Sequence, residues 1–144
     1  MIEQDTIKLL RECDAGVEMG VSSIEDVLEH VKSEKYREEL KHCKDEHEAL
    51  SREIEQLLDK YKDDGKEPNP MAKGMSWIKT NVKLGFDESD NTVADLITDG
   101  CNMGVKSLNK YLNKYKAADE TSKDICKRLI KLEEQLAIHS REYL

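Results

Sequence analysis

The stretch Asp14-Ala15-Gly16-Val17-Glu18-Met19-Gly20-Val21-Ser22-Ser23-Ile24 is answered later by Thr98-Asp99-Gly100-Cys101-Asn102-Met103-Gly104-Val105-Lys106-Ser107-Leu108. Laid one on the other, Gly16 falls on Gly100, Met19 on Met103, Gly20 on Gly104, Val21 on Val105 and Ser23 on Ser107. Both stretches read as helix interior. A glycine there costs about 1 kcal/mol relative to alanine. Four such losses at matched positions require a return. Either two helices approach closely at Gly16, Gly20, Gly100 and Gly104, or bulky neighbours fill the space that a Cβ would take. The chain therefore reads as a duplicated helical hairpin.

Working outward, four stripes of apolar residues recur at steps of three and four, the spacing that holds one helix face against partners. Helix A carries Ile7, Leu10, Asp14, Val17, Val21, Ile24, Leu28 and Val31. Helix B carries Tyr36, Leu40, Cys43, His47, Leu50, Ile54, Leu57 and Tyr61. Helix C carries Ala94, Thr98, Cys101, Val105, Leu108, Leu112 and Tyr115. Helix D carries Ala118, Ser122, Ile125, Leu129, Leu132, Leu136, His139 and Tyr143. Ser33 is placed to cap helix B, and the C-to-D turn falls near Ala117 to Asp119. Short turns make A and B, and C and D, antiparallel neighbours.

The B-to-C connection is long. Asp64-Gly65 and Pro68-Asn69-Pro70 break the helical pattern. Asn69, Pro70 and Gly85 then bound a short helix with its own stripe, Met71, Met75, Ile78, Val82 and Phe86. A helix of about sixteen residues spans roughly 24 Å. That reach suits a crossover along the bundle, and the reading has helix C start at the same end as helix A. Docking of the crossover is expected through Met75, Trp77 and Ile78, since the segment holds the only Trp and the only Phe. Lys66, Lys73, Lys79 and Lys83 make it basic in an acidic chain. Packing on the acidic bundle accounts for that charge, and a basic partner site is the alternative. The division is one domain, 1–144, with a hairpin over 1–63, a crossover over 64–88 and a hairpin over 89–144.

At 144 residues the chain suffices for one domain with a real core. Charged residues at 38%, aromatics at 5% and two prolines favour helix over sheet. A net charge of −8 argues against nucleic acid and against anionic lipid as partners. No signal peptide and no run approaching a membrane span is seen. Cys13, Cys43, Cys101 and Cys126 form no CxxC pair and read as reduced thiols. A soluble cytoplasmic protein is expected.

Two hairpins joined by a long crossover is the ferritin-like architecture. The glycine-rich helix segments Asp14-Ala15-Gly16 and Asp99-Gly100, with Met71-Ala72-Lys73-Gly74-Met75-Ser76-Trp77-Ile78-Lys79, resemble a bacterial ferritin-like family known as domain of unknown function 2383. The resemblance implies an all-α, ferritin-like four-helix bundle. It also raises the question of metal, since many members of that superfamily hold two ions between their helices.

A di-iron bundle takes one Glu from each of two helices and a Glu-x-x-His from each of the other two. Helix B offers Glu39-Leu40-Lys41-His42, with Glu46 and His47 a turn on. Helix D offers Glu133 and Glu134, neither followed by His at the required spacing. Its stripe places Leu129, Leu132 and Leu136 where ligands belong. Helices A and C have Asp14 and Thr98 on their stripes instead of glutamates. No cofactor is expected. Iron or zinc at Glu39, His42, Glu46 and His47, or zinc at Cys43 and His47 beside Cys101, is the alternative.

Asp14, His47 and Thr98 then read as a satisfied polar layer. Glycine at position 20 leaves room for the His47 imidazole. An Asp14–His47 acid–base couple is the functional alternative, and it would need a tilt or a bridging water. His139 is expected to face solvent. Ile130, Ile138 and Leu144 lie off the stripe of helix D, as crossover cover or a dimer surface. The function read from the sequence is a non-catalytic bundle that binds a partner, unnamed by the sequence, or assembles with itself. A ligand in the space left by the glycines is a further possibility. The runner-up is a metal-binding oxidase or store with a degenerate site.

Overall fold

The computed structural model describes residues 3–61 and 89–144. The expectations for the crossover, including Met75, Trp77 and Ile78, lie outside the described residues. Those described form four long helices and no strand: α1 (Gln4–Leu28), α2 (Glu34–Tyr61), α3 (Asp90–Lys114) and α4 (Glu120–Ser140). A 3-10 turn, Arg141–Tyr143, follows α4. They correspond to helices A to D of the sequence, packed as a four-helix bundle.

The helix starts follow from local chemistry. The first amides of a helix have no intrahelical acceptor, so a side-chain oxygen placed just before them is stabilising. Ser33 Oγ accepts from the Tyr36 amide at 3.2 Å. Ser89 Oγ accepts from the Thr92 amide at 3.1 Å. Asp119 Oδ1 accepts from the Ser122 amide at 2.8 Å. The α1–α2 and α3–α4 connections are therefore short, with antiparallel neighbours.

Two polar ties fix how the hairpins meet. Asp90, at the start of α3, accepts from the Lys32 and Ser33 amides at 2.7 and 3.0 Å. At the other end, Thr6 Oγ1 accepts from the Asp119 amide at 2.8 Å and Asp5 accepts from the Ala117 amide at 3.1 Å. The start of α3 thus lies beside the end of α1. This corrects the expectation that helix C begins where helix A begins. α2 ends at the opposite end of the bundle from the start of α3. The order is up-down-down-up: α1 and α4 are parallel, α1 and α3 antiparallel, and α2 and α4 antiparallel. Tyr36 ties α2 to α4 through its hydroxyl on Ser140 Oγ at 2.8 Å, and its ring stacks on Tyr143 at 4.2 Å.

The core divides into two clusters. One gathers Ile24, Val27, Tyr36, Leu40, Ile97 and Leu136 near the α1–α2 turn. The other gathers Leu9, Leu10, Ile54, Leu108, Ile125 and Leu129 near the α3–α4 turn. What separates them is polar.

Gly16 faces apolar side chains. A Cβ built there lies 3.5 Å from Leu129 Cδ2 and 3.9 Å from Leu108 Cδ2, which is ordinary contact. Gly16→Ala should therefore be accepted and should raise stability by roughly 0.5–1 kcal/mol, because alanine loses less freedom on forming helix. Chemical denaturation measures this. A loss of stability would mean that α1 and α4 approach more tightly than these distances allow.

Candidate functional site

Midway along the bundle, between the two apolar clusters, two ionisable side chains are fully buried: His47 and Glu133, both 0% exposed. Their register follows from contacts on either side. On the parallel pair α1 and α4, the Thr6–Asp119 bond and the Gly16–Leu129 contact keep one offset. The same offset brings Gly20 level with Glu133. On the antiparallel pair α2 and α4, the Tyr36–Ser140 bond and the Arg128–Glu53 ion pair bracket the level at which His47 meets Glu133. On α3, a Cβ added to Gly104 would lie 2.2 Å from Glu133 Oε2, so the carboxyl occupies the volume that this glycine vacates. One layer of the bundle thus consists of Gly20, His47, Gly104 and Glu133. Gly104 supplies space and Glu133 fills it.

The sequence pattern placed Leu132 in the core and left Glu133 outside it. The structure reverses them: Glu133 is buried and Leu132 is half-buried, facing the groove between α2 and α4. A step from Leu129 to Leu136 can pass through position 132 or 133 with equal helical legitimacy. Hydropathy favoured Leu132, but the room opposite Gly104 admits a carboxyl. A signal for it was present. A single shift lays Tyr36 on Ser122, Leu40 on Cys126, Cys43 on Leu129, His47 on Glu133, Leu50 on Leu136 and Ile54 on Ser140. Every position in both rows is buried. That shift is two residues longer than the glycine shift, and it makes Glu133 the counterpart of His47.

The electrostatics follow from burial. Glu133 is held well above the ordinary carboxylate range, because ionisation in a dry interior forfeits hydration. Neither of its carboxyl oxygens has a hydrogen-bond partner among the described residues. Burial lowers the His47 pKa. His47 Nδ1 lies 2.8 Å from the Cys43 carbonyl, which can only accept, so Nδ1 carries the proton and Nε2 the lone pair. Burial thus favours the uncharged form of both side chains. The flanking thiols respond to the same environment. Cys43 is pushed up to about 12 by burial, with Glu46 and Glu133 adding to the shift. Cys101 is raised by burial and again by Glu133.

The other expected site residues are dispersed. Thr98 is half-buried and donates back to its own helix, to the Ala94 carbonyl at 2.8 Å and the Asp95 carbonyl at 3.1 Å. Asp14 is also half-buried. Its carboxylate shares a patch with Glu18 and Glu55, their oxygens all within 4.8 Å of one another. Glu55 lies about two turns, roughly 12 Å, beyond His47 on α2. The Asp14–His47 couple is therefore not assembled. The Glu39-to-His47 set is split as well. His42 and Glu46 pair at the surface at 3.3 Å, Glu39 lies 3.8 Å from the exposed His139, and His47 points into the core.

A two-ion centre does not fit this layer. Glutamates are required from α1 and α3, where Gly20 and Gly104 stand, and His42 of the Glu39-to-His42 motif is turned to the surface. The Cys43–His47 pair has its thiol 3.6 Å from Nδ1, but that nitrogen is already committed to the backbone carbonyl.

Outside the core, α2 and α4 form an open groove of about 540 Å³. Its floor includes Cys43, Leu50, Leu132 and Leu136, and Glu46, Glu53, Arg128 and Lys131 are among its charged lining. Arg128 makes a two-pronged pair with Glu53 across it, at 2.6 and 3.0 Å. Among the described residues no helix is long and apolar enough to cross a membrane. Comparison of the chain with known protein families, curated proteins and solved structures finds no match.

Proposed function

We propose that this chain is a ferritin-like bundle with a non-catalytic role, which assembles with itself through the face formed by α2 and α4. The observation that carries this reading is the α2–α4 groove, where Leu132 packs on the core cluster and still lines an open surface. Half-exposed apolar side chains rimmed by charge are the usual composition of a protein contact. Glu46 and Lys131 line the groove with opposite signs, so a second copy placed about a two-fold axis sets one against the other. The composition of the central layer supports a non-catalytic role. Glycines stand on α1 and α3 in this layer, so it offers one carboxyl and one imidazole, too few ligands for two ions.

Sedimentation across a wide concentration range tests the proposal. The wild-type chain should associate, and Leu132→Arg should weaken association at least tenfold without loss of helicity. A monomer at every concentration would overturn self-assembly. Elemental analysis of protein made in iron- and zinc-replete cells bears on the non-catalytic part. Two iron ions per chain surviving a chelator would replace it with the oxidase reading.

A further inference from the structure

Two of the four buried cysteines stand against each other across the seam between the hairpins. The α1–α4 offset that pairs Thr6 with Asp119 and Gly16 with Leu129 also brings Cys13 level with Cys126. Both have no exposed surface and both belong to the apolar cluster near the α3–α4 turn. The Cys126 thiol reaches the Leu108 carbonyl at 3.7 Å, and Cys13 packs in the same cluster. The two cysteines thus sit level with each other on parallel helices, within two turns of the bundle end marked by Thr6 and Asp119. Cys43 and Cys101 lie in the other cluster, so they cannot substitute for either partner.

We propose that Cys13 and Cys126 form a peroxide-responsive thiol pair that closes into a disulfide joining α1 to α4, and so locks the first hairpin to the second. Cys126 is the attacking sulfur. The neighbouring Cys13, aided by Lys127, draws its pKa down, while Cys13 keeps its own proton more tightly. A low-pKa cysteine beside a resolving partner is the arrangement that traps a first oxidation step before it goes further. The Cys126 sulfur attacks one peroxide oxygen, the O–O bond breaks, and sulfenic acid and water form. The Cys13 sulfur then attacks the Cys126 sulfur. The S–O bond breaks, and the hydroxyl leaves as water with the Cys13 proton. Two thiols are oxidised to one disulfide and one peroxide is reduced to two waters. Hydrogen peroxide is small and uncharged. Helix ends open locally more readily than bundle centres, so the position near the end provides its path.

The test uses the full native chain, treated with hydrogen peroxide, quenched, alkylated in denaturant without reductant, and mapped by mass spectrometry. The expected result is an intramolecular link between the Cys13 and Cys126 peptides, with about 2 Da lost for the two hydrogens. Cys43 and Cys101 should remain alkylated. The thermal midpoint of the linked form should rise, because the bond closes a loop across the two hairpins. Cys13→Ala should stop the link and leave Cys126 as a sulfenic acid that a cyclic diketone captures. Cys43→Ala should link as the wild type does. All four thiols still free after treatment would overturn the proposal, as would a link through Cys43 or Cys101 or between chains. The wild-type peptide map decides this even if a variant fails to fold.

Discussion

Glu133→Gln should make the protein more stable at neutral pH, by an amount that grows with pH. The sign follows from where the proton sits. In the unfolded chain the Glu133 carboxyl ionises near its ordinary value of about 4.5. In the fold, burial keeps it protonated well above that. Above pH 4.5 the unfolded state therefore sheds a proton that the folded state retains. Stability falls as pH rises, by about 1.4 kcal/mol per unit, until the folded carboxyl itself ionises. Glutamine has nearly the same shape and no such proton. The two proteins should be of similar stability near pH 4. They should diverge to an upper bound of about 3.5 kcal/mol at pH 7, reached where the folded carboxyl remains protonated throughout. His47 acts in the opposite sense. Burial depresses its pKa, so it costs stability as pH falls from about 6.5 toward the lowered value. That contribution is common to both proteins and cancels in the comparison. Urea unfolding at half-unit steps from pH 4 to 8 supplies the slopes. Parallel curves would show that Glu133 titrates normally and is not held in a dry layer.

The repeated glycines and the four stripes made the helices legible, because helical period and capping are local properties. Ser33 and Asp119 fall where the pattern placed helix starts, and both cap their helices. Direction was less accessible. The two ties that set it, Asp90 on Lys32 and Ser33 and Asp119 on Thr6, join residues far apart in the chain and leave no periodic trace. The central layer was half legible. His47 lay on its stripe in plain view. Glu133 was hidden because hydropathy ranks leucine above glutamate at any position that admits either, and only the space opposite Gly104 reverses that order. Thr98 misled for the converse reason. A hydroxyl on a stripe can be satisfied by its own helix and need mark no layer at all. The pairing of Cys13 with Cys126 could not be read from spacing, since it depends on the register between α1 and α4.

Gly104→Ala should destabilise the wild type by about 1–3 kcal/mol, the range for overpacking a filled core. The added Cβ lands 2.2 Å from Glu133 Oε2 and 2.8 Å from its Cδ, so the carboxyl has to move. In solvent a glutamate would swing aside at little cost. Here the side chain is fully buried, and any new rotamer meets packed neighbours. The same substitution made on Glu133→Ala should reverse sign. With the carboxyl gone the methyl enters space already empty, and the helix gains roughly 1 kcal/mol from losing a glycine. The difference between the two backgrounds is the coupling between positions 104 and 133, which a double-mutant cycle isolates. Gly16→Ala is the internal control, since its Cβ meets only ordinary contacts and should behave alike in both backgrounds. A Gly104→Ala effect independent of residue 133 would mean that the glycine is kept for backbone reasons. The link between the glycine repeat and the buried acid would then fail.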